Sequence, residues 1–396
     1  MNDIRKIMVL GAGDLGRRVF HELAHGGGRH VQLVGRDEDA TLRAANLTRY
    51  CALQRGYADV GVSHAVTDLA DVARTAERIA RFAPDVLFLA ASYQSWWVIS
   101  TLPKDAFERL YAANYGPWLP MHLVPVMKAM EAVRMAGSDA TVVNAAYPDA
   151  VHPALAAAGL APHIGIGNLA NNVPGIRVAA ADELGCAPDE VEVRLVAHHY
   201  VSHRLSRRGD SGPAAMGLSL LWEGRDVTAK VDIAGLLRRL PGRYRRTGGL
   251  AGQAMTAASA LSVLEPLVER RDAVVHAPGP MGMIGGYPVA IESGRFRLLP
   301  PDGMTREEAL AINVSGQVQD GITEIRADGT VVFEDASMGV LAEELGYDCR
   351  EMPLPDAEGR AREIAERFAA YRERVAAGNA GKATRLILRI SGARRR

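Results

Sequence analysis

The sequence predicts an α/β fold, with a doubly wound parallel sheet in residues 1–150 followed by an α+β region in 151–396. Three observations carry this. Short apolar runs alternate with helical periodicities through the first 150 residues, the pattern of β–α–β units with right-handed crossovers. The first run, RKIMVL (5–10), breaks into GAGDLG (11–16) and passes at once into the helical RRVFHELAH. A stretch of small residues and prolines, YPDAVHPALAAAGLAPH (147–163), then marks the boundary.

Each element follows from its local pattern. VQLVG (31–35) reads as the second strand and 41–56 as a helix. Residues 68–82 are amphipathic, with Leu69, Val72, Ala76, Ile79 and Phe82 near one face. PDVLFLAAS (84–92) is a strand opened by proline, 105–136 is helical with a break at Gly116-Pro117, and ATVVNAA (140–146) is another strand. Beyond the boundary, 173–187 reads as a helix, VEVRLVAHHYVSHRL (191–205) as one alternating strand, and 204–216 as a polar loop. GLSLLWEGRDV (217–227) is strand-like, 249–270 is a helix, and strands are expected around 273–278, 287–294, 295–300 and 330–335. A charged helix covers 356–377.

Composition narrows the function. Lys plus Arg and Asp plus Glu number 46 each among 396 residues, which argues against a strongly basic nucleic-acid binder. No apolar run reaches the roughly 18 residues of a membrane span. The N-terminal MNDIRKIMVLGAG carries no export signal by its pattern, because its apolar run ends in a glycine turn. Cys51, Cys186 and Cys349 are odd in number and widely spaced, so no disulfide framework or metal pair is expected and a cytoplasmic setting fits.

The strongest chemical signal is Gly11-Ala12-Gly13-Asp14-Leu15-Gly16, between a strand and a helix. Gly11 allows the tight turn, Gly13 lets the backbone approach a pyrophosphate, and Gly16 allows close helix–strand packing. The helix N-terminus then offers free N–H groups and the positive end of its dipole to phosphates. This is the fingerprint of a dinucleotide-binding Rossmann unit. The end of the second strand chooses between cofactors. Gly35 stands where an NAD enzyme usually carries an acid for the ribose hydroxyls, and Arg36 follows, suited to a 2′-phosphate. NADP is therefore expected. NAD is the alternative, with Asp37 turned to the ribose. Ala90, Ala91 and Ser92 are small, as a backbone passing beneath the cofactor requires. Adjacent Trp96 and Trp97 form a candidate lid.

A proton donor is needed when a hydride reaches a carbonyl or imine carbon, and histidine titrates near neutrality. His198, His199 and His203 are the candidates. On a strand, residues 199 and 203 would lie ~13 Å apart, too far to share a metal. No metal site is expected. Arg204, Arg207 and Arg208 form one basic cluster and Arg238, Arg239, Arg243, Arg245 and Arg246 another, each read as solvated or as facing an acidic group of a substrate or partner.

In layout, GAGDLG, VGRD, LAAS, NYGPWLPMHLVPVMKAM, TVVNAAYPDAV and GIGN resemble the lactate/malate dehydrogenase superfamily, to which the family-4 glycosidases are structurally allied. The resemblance implies a Rossmann domain, an α+β second domain, a cleft active site, a dinucleotide, and a homodimer or homotetramer. It places Asn144 at a strand end beside the nicotinamide, Asn114 near the cofactor, and His199 at the catalytic histidine. Asn172 stands where these dehydrogenases keep an Asp to orient that histidine, and Gly175 where they keep a substrate-binding arginine. Gly167 stands at the metal-binding cysteine of the glycosidases. Tyr147 and Asn172 are further candidates to orient substrate. The expected function is an NADP-dependent oxidoreductase acting on a small hydroxy, carbonyl or imine metabolite, with His199 as acid/base. The alternatives are a redox-assisted hydrolase or lyase, and a non-catalytic dinucleotide sensor.

Overall fold

β1 (Arg5–Leu10) is buried from Ile7 to Leu10 and lies between β2 (Arg29–Gly35) and β4 (Val86–Leu89), parallel to both. In the computed structural model, which describes residues 5–57 and 60–393, these strands belong to a six-stranded sheet of order β3-β2-β1-β4-β5-β6. β3 is Gly61–Val66, β5 is Thr141–Asn144 and β6 is the two-residue Ile164–Gly165. The strand order reverses between β1 and β4, the switch point where doubly wound sheets bind ligands. The crossovers are α1 (Asp14–Leu23), α2 (Glu38–Gln54), α3 (Val72–Phe82), α4 (Lys104–Tyr111), α5 (Leu119–Met135) and α6 (Pro148–Ala156).

β3 was absent from the sequence reading. It is an edge strand with a single fully buried residue, so GVSHAV carries no apolar run. The expected division at 150 cuts through the sheet, because β6 lies beyond it and pairs with β5.

The remaining chain runs through α7 (Val173–Leu184), β7 (Val191–Val196), α8 (His199–Arg208), β8 (Gly217–Trp222), β9 (Arg225–Asp226), α9 (Ile233–Arg239) and α10 (Gln253–Glu269). It continues with β10 (Ala273–Pro278), β11 (Gly286–Glu292), β12 (Arg295–Leu298), α11 (Arg306–Gln319), β13 (Ile322–Ile325), β14 (Val331–Phe333), α12 (Asp335–Leu345), β15 (Glu351–Met352) and α13 (Ala357–Ala393). Three small sheets result, β7-β8-β9, β10-β11-β12 and β13-β14-β15, each antiparallel.

Apolar burial ties this region to the parallel sheet. α10 packs on α1, and Val263 and Leu264 join the core of Val9, Val19 and Phe20. α13 packs on α5, and Ile364 and Phe368 join the core of Leu87, Leu123 and Val142. A third core lies within the second region, between α7, β7, α8 and α9. No helix among the described residues is long and apolar enough to cross a membrane.

One element departs from expectation at the point that matters most. The predicted strand 191–205 is two elements. β7 pairs with β8 only as far as Val196. His198 then caps a helix, its Nδ1 accepting from the Tyr200 N–H at 3.4 Å, and α8 runs from His199 to a left-handed Gly209 (φ +72°). The same helix takes up the first residues of the expected polar loop 204–216.

Candidate active site

The glycine turn has the geometry its sequence predicts. Gly11 has φ +117°, and a Cβ there would lie 2.7–2.9 Å from the backbone of Ala90 and Ala91. A Cβ on Gly16 would lie 1.8 Å from the Gly11 carbonyl oxygen, so both positions require glycine. Gly13 is exposed, and nothing lies within 4 Å of where its Cβ would stand. It precedes α1 without a side-chain cap, which leaves the first-turn N–H groups for a ligand. Ala12 and Leu15 pack against the core below, and Asp14 accepts from Arg18 Nε at 2.8 Å. These features fit a pyrophosphate.

Gly35 closes β2 against this turn, where a Cβ would meet Thr41 Oγ1 at 2.4 Å and Ala12 Cβ at 2.8 Å. Arg36 is exposed. Asp37 is occupied, its Oδ1 accepting from the Ala40 N–H at 2.9 Å as the N-cap of α2. Ala90 follows β4, its N–H bonded to the Leu10 carbonyl at 2.8 Å, and Ala91 and Ser92 are half-buried beside it. The side chains of Trp96 and Trp97 lie outside the described residues.

Beyond the carboxyl end of β5 stands a histidine–carboxylate pair. His199 Nδ1 donates to Asp320 Oδ2 at 2.8 Å, and Tyr147 Oη donates to the same oxygen at 2.7 Å. The backbone of Tyr147 is left-handed (φ +43°) immediately before Pro148 opens α6. The Tyr115 ring lies 4.7 Å from that of His199, tilted by 33°, and the Tyr147 ring lies 5.2 Å away near edge-on. The His199 N–H donates to Asp149 Oδ1 at 3.1 Å, whose other oxygen accepts from Asn168. Because α8 is a helix, His203 falls one turn beyond His199, with ring centres 5.0 Å apart. Their separation is thus far below that of the strand reading. His199, His203, Asp320, Tyr111, Asn114 and Arg207 line a cavity of about 400 Å³. Among the described residues, no group of three or more His, Cys, Asp or Glu side chains is arranged to hold a metal ion.

The electrostatics separate the two histidines. Burial alone would lower His199, but the charge and hydrogen bond of Asp320, aided by Asp149, outweigh it and hold the imidazole above its ordinary value. Asp320 is the reciprocal case: burial pushes it up, while His199, His198 and the Tyr147 hydroxyl bring it down to about 2. His203 is lowered to about 3 by burial and by the nearby His199. Burial and charge thus push the two neighbouring imidazoles in opposite directions.

The asparagines have other work. Asn144 is fully buried and internally satisfied. Its Oδ1 accepts from the Ala146 N–H at 2.9 Å, and its Nδ2 donates to the Ala146 carbonyl and to His152 Nε2, both at 3.1 Å. His152 in turn donates to the Gly279 carbonyl at 2.6 Å, so the network fixes the strand end to the second region. Asn172 Nδ2 donates to Ser202 Oγ at 2.8 Å, and Ser202 Oγ to the Asn168 carbonyl at 2.8 Å, which anchors α8. The carboxylate that holds His199 comes from the end of α11 instead. Asn114 does line the cavity, with φ +57° and its Nδ2 donating to Ser337 Oγ at 3.1 Å. Gly175, where the resemblance places a substrate-binding arginine, lies in α7 with Leu240 over it. Gly167 has φ +79° and donates its N–H to Ser259 Oγ.

The sequence reading missed Asp320, Asp149 and Tyr115. The helix that presents the first had a local signal, though its pairing with His199 did not: Thr305 and Glu308 form a capping box that opens α11, and the left-handed Gly321 stops the chain just after Asp320.

No family model matches this sequence, and no curated protein matches it. Solved structures do. The lactate dehydrogenase of Cryptosporidium parvum, complexed with lactic acid and b-nicotinamide adenine dinucleotide, superposes with a TM-score of 0.54 at 17% identity over 81% of this chain and 96% of its own. The malate dehydrogenase of the same organism gives 0.54 at 14% identity, over 80% and 97%. That of Picrophilus torridus, in its apo form, gives 0.53 at 17%, over 80% and 96%. This chain shares their fold. The expected resemblance in layout therefore holds at the level of architecture, across four-fifths of the chain.

Proposed function

We propose that this chain is a nicotinamide-dinucleotide-dependent oxidoreductase, with NADP preferred, that interconverts a small hydroxy compound with its carbonyl, or an amine with its imine. The observation that carries the reading is the His199–Asp320 pair at 2.8 Å on the wall of the cavity beyond β5. The glycine turn supports it as a pyrophosphate cradle. Arg36 supports NADP because it is exposed, and because among the described residues no carboxylate pairs with it, while Asp37 is held in the α2 cap. A dinucleotide held by the glycine turn and Arg36 would supply or accept a hydride.

The protein's share of the chemistry is proton control. In the reductive direction, protonated His199 gives its proton to the substrate oxygen or nitrogen as hydride arrives at the adjacent carbon. Asp320 fixes the ring through Nδ1, leaving Nε2 as the donating atom, and stabilises the imidazolium before transfer. Tyr147 holds Asp320 in place, and Tyr115 walls one face of the ring. In the oxidative direction the neutral imidazole receives the proton. Asn144 and Asn172 enter this reading as scaffold. A homodimer or homotetramer is part of the same proposal.

The test is turnover. Wild-type protein is screened for NADPH oxidation against carbonyl and imine metabolites, and the active substrate is repeated with His199→Gln. A loss of 10²–10⁴-fold in kcat is expected, with NADPH affinity kept. An unchanged kcat would remove His199 from the chemistry.

A further inference from the structure

α8 presents His199, His203 and Arg207 at positions i, i+4 and i+8, so one stripe of the helix forms a wall of the cavity. The third member has no use in the mechanism above. The Arg207 guanidinium lies 4.7 Å from the centre of the Tyr111 ring and 5.8 Å from that of Phe107. Tyr111 in turn stands edge-on to His203 at 6.2 Å. Aromatic faces hold a cation without neutralising it. Among the described residues, no carboxylate pairs with Arg207 or with Arg208 beside it. The neighbouring Arg204, by contrast, is consumed by Asp210. The cavity's own carboxylate, Asp320, is committed to His199 and Tyr147. Arg246 adds to the positive potential at His203. The cavity thus begins at a proton donor and ends at uncompensated positive charge.

We infer that the substrate carries an anionic group that binds Arg207 and Arg208, at a distance from the carbon that reacts at His199. Eight residues of helix advance ~12 Å, and arginine side chains lean back toward the helix N-terminus, so the separation is roughly 6–12 Å. That spans several bonds. The group is a distal carboxylate or a phosphate, not an acid on the carbon next to the reacting one. The arginine fork suits both.

The inference rests on His199 as the reacting acid, so the test reads anion binding and dinucleotide binding separately. Glutarate and inorganic phosphate are each titrated calorimetrically into the full chain, and NADPH is titrated by fluorescence. Variants are Arg207→Met, Arg207→Lys and, as a control on α9, Arg238→Met. At least one anion is expected to bind, glutarate assigning a carboxylate and phosphate a phosphoryl group. Arg207→Met weakens that binding tenfold or more, Arg207→Lys weakens it less, and Arg238→Met leaves it alone, with NADPH affinity constant throughout. Absence of binding by both anions, or equal binding by Arg207→Met, overturns the inference. Anion binding that follows Arg207 in a protein that does not bind NADPH supports this site and counts against the dinucleotide reading instead.

Discussion

His199 and Asp320 set a pH signature for the reductive reaction. The carboxylate holds His199 above its ordinary value, so the protonated acid persists past the usual imidazole range. Above that raised value kcat/KM for reduction should fall tenfold per pH unit. In Asp320→Asn the burial that lowers His199 is no longer outweighed, and the falling limb moves to lower pH. A pH–rate profile of both proteins checks this, and identical limbs would show that Asp320 does not tune the acid. Tyr147→Phe should leave Asp320 short of one donor at a cost of about 1–3 kcal/mol, measured by denaturant unfolding. His199 was legible because it sits in an ordered layout of motifs. Asp320 was not, since 121 residues separate the partners and nothing local announces the pairing.

The glycine turn is legible because its motif is contiguous, although the contact of Gly11 with Ala90 and Ala91 is distant in sequence. A strand, a φ of +117° at Gly11 and a contact of Gly16 with its own turn fall within the consecutive residues 5–16. Gly16→Ala drives a methyl to 1.8 Å from the Gly11 oxygen, so the turn must open. Dinucleotide binding should be lost and stability lowered by about 1–3 kcal/mol, read by titration and thermal melting of the same sample. The junction of β7 and α8 was read wrongly for a physical reason. VRLVAHHYVSHRL alternates well enough for a strand, and the break is made by a histidine cap rather than by Ser, Thr, Asp or Asn. α11 carries the ordinary signal and was passed over. Thr305→Ala should cost about 1 kcal/mol through loss of its capping box, visible as a lower denaturant midpoint.

The molecule as a whole should be acid-labile above the range where carboxylates titrate. His122 is lowered to about 3, and His152 and His276 to about 4, each by burial. They are neutral in the fold and protonated in the unfolded chain between pH 6.5 and 4. The unfolded state there binds more protons, so stability falls as pH falls, by about 1.4 kcal/mol per unit for each histidine. Between pH 6.5 and 4 the His199–Asp320 pair does not offset this. His199, raised, contributes stability fully present below 6.5 and lost as pH rises through its folded value, while Asp320 contributes stability lost only as pH falls toward about 2. A melting temperature markedly lower at pH 5.0 than at 6.5 is expected, and equal values would contradict the burial of these rings. The architecture was largely visible in the sequence as alternating elements. The domain cut was not, because β6, α10 and α13 return to the sheet from beyond residue 150, and burial in shared cores leaves no mark at the boundary.

The proposed function requires that this fold bind a nicotinamide dinucleotide. Fluorescence titration with NADPH and with NADH, on wild type and on Arg36→Ala, tests it most directly. NADPH is expected to bind tighter than NADH, with the difference lost in Arg36→Ala. A preference for NADH would contradict the role of Arg36, and binding of neither would contradict the proposed function itself.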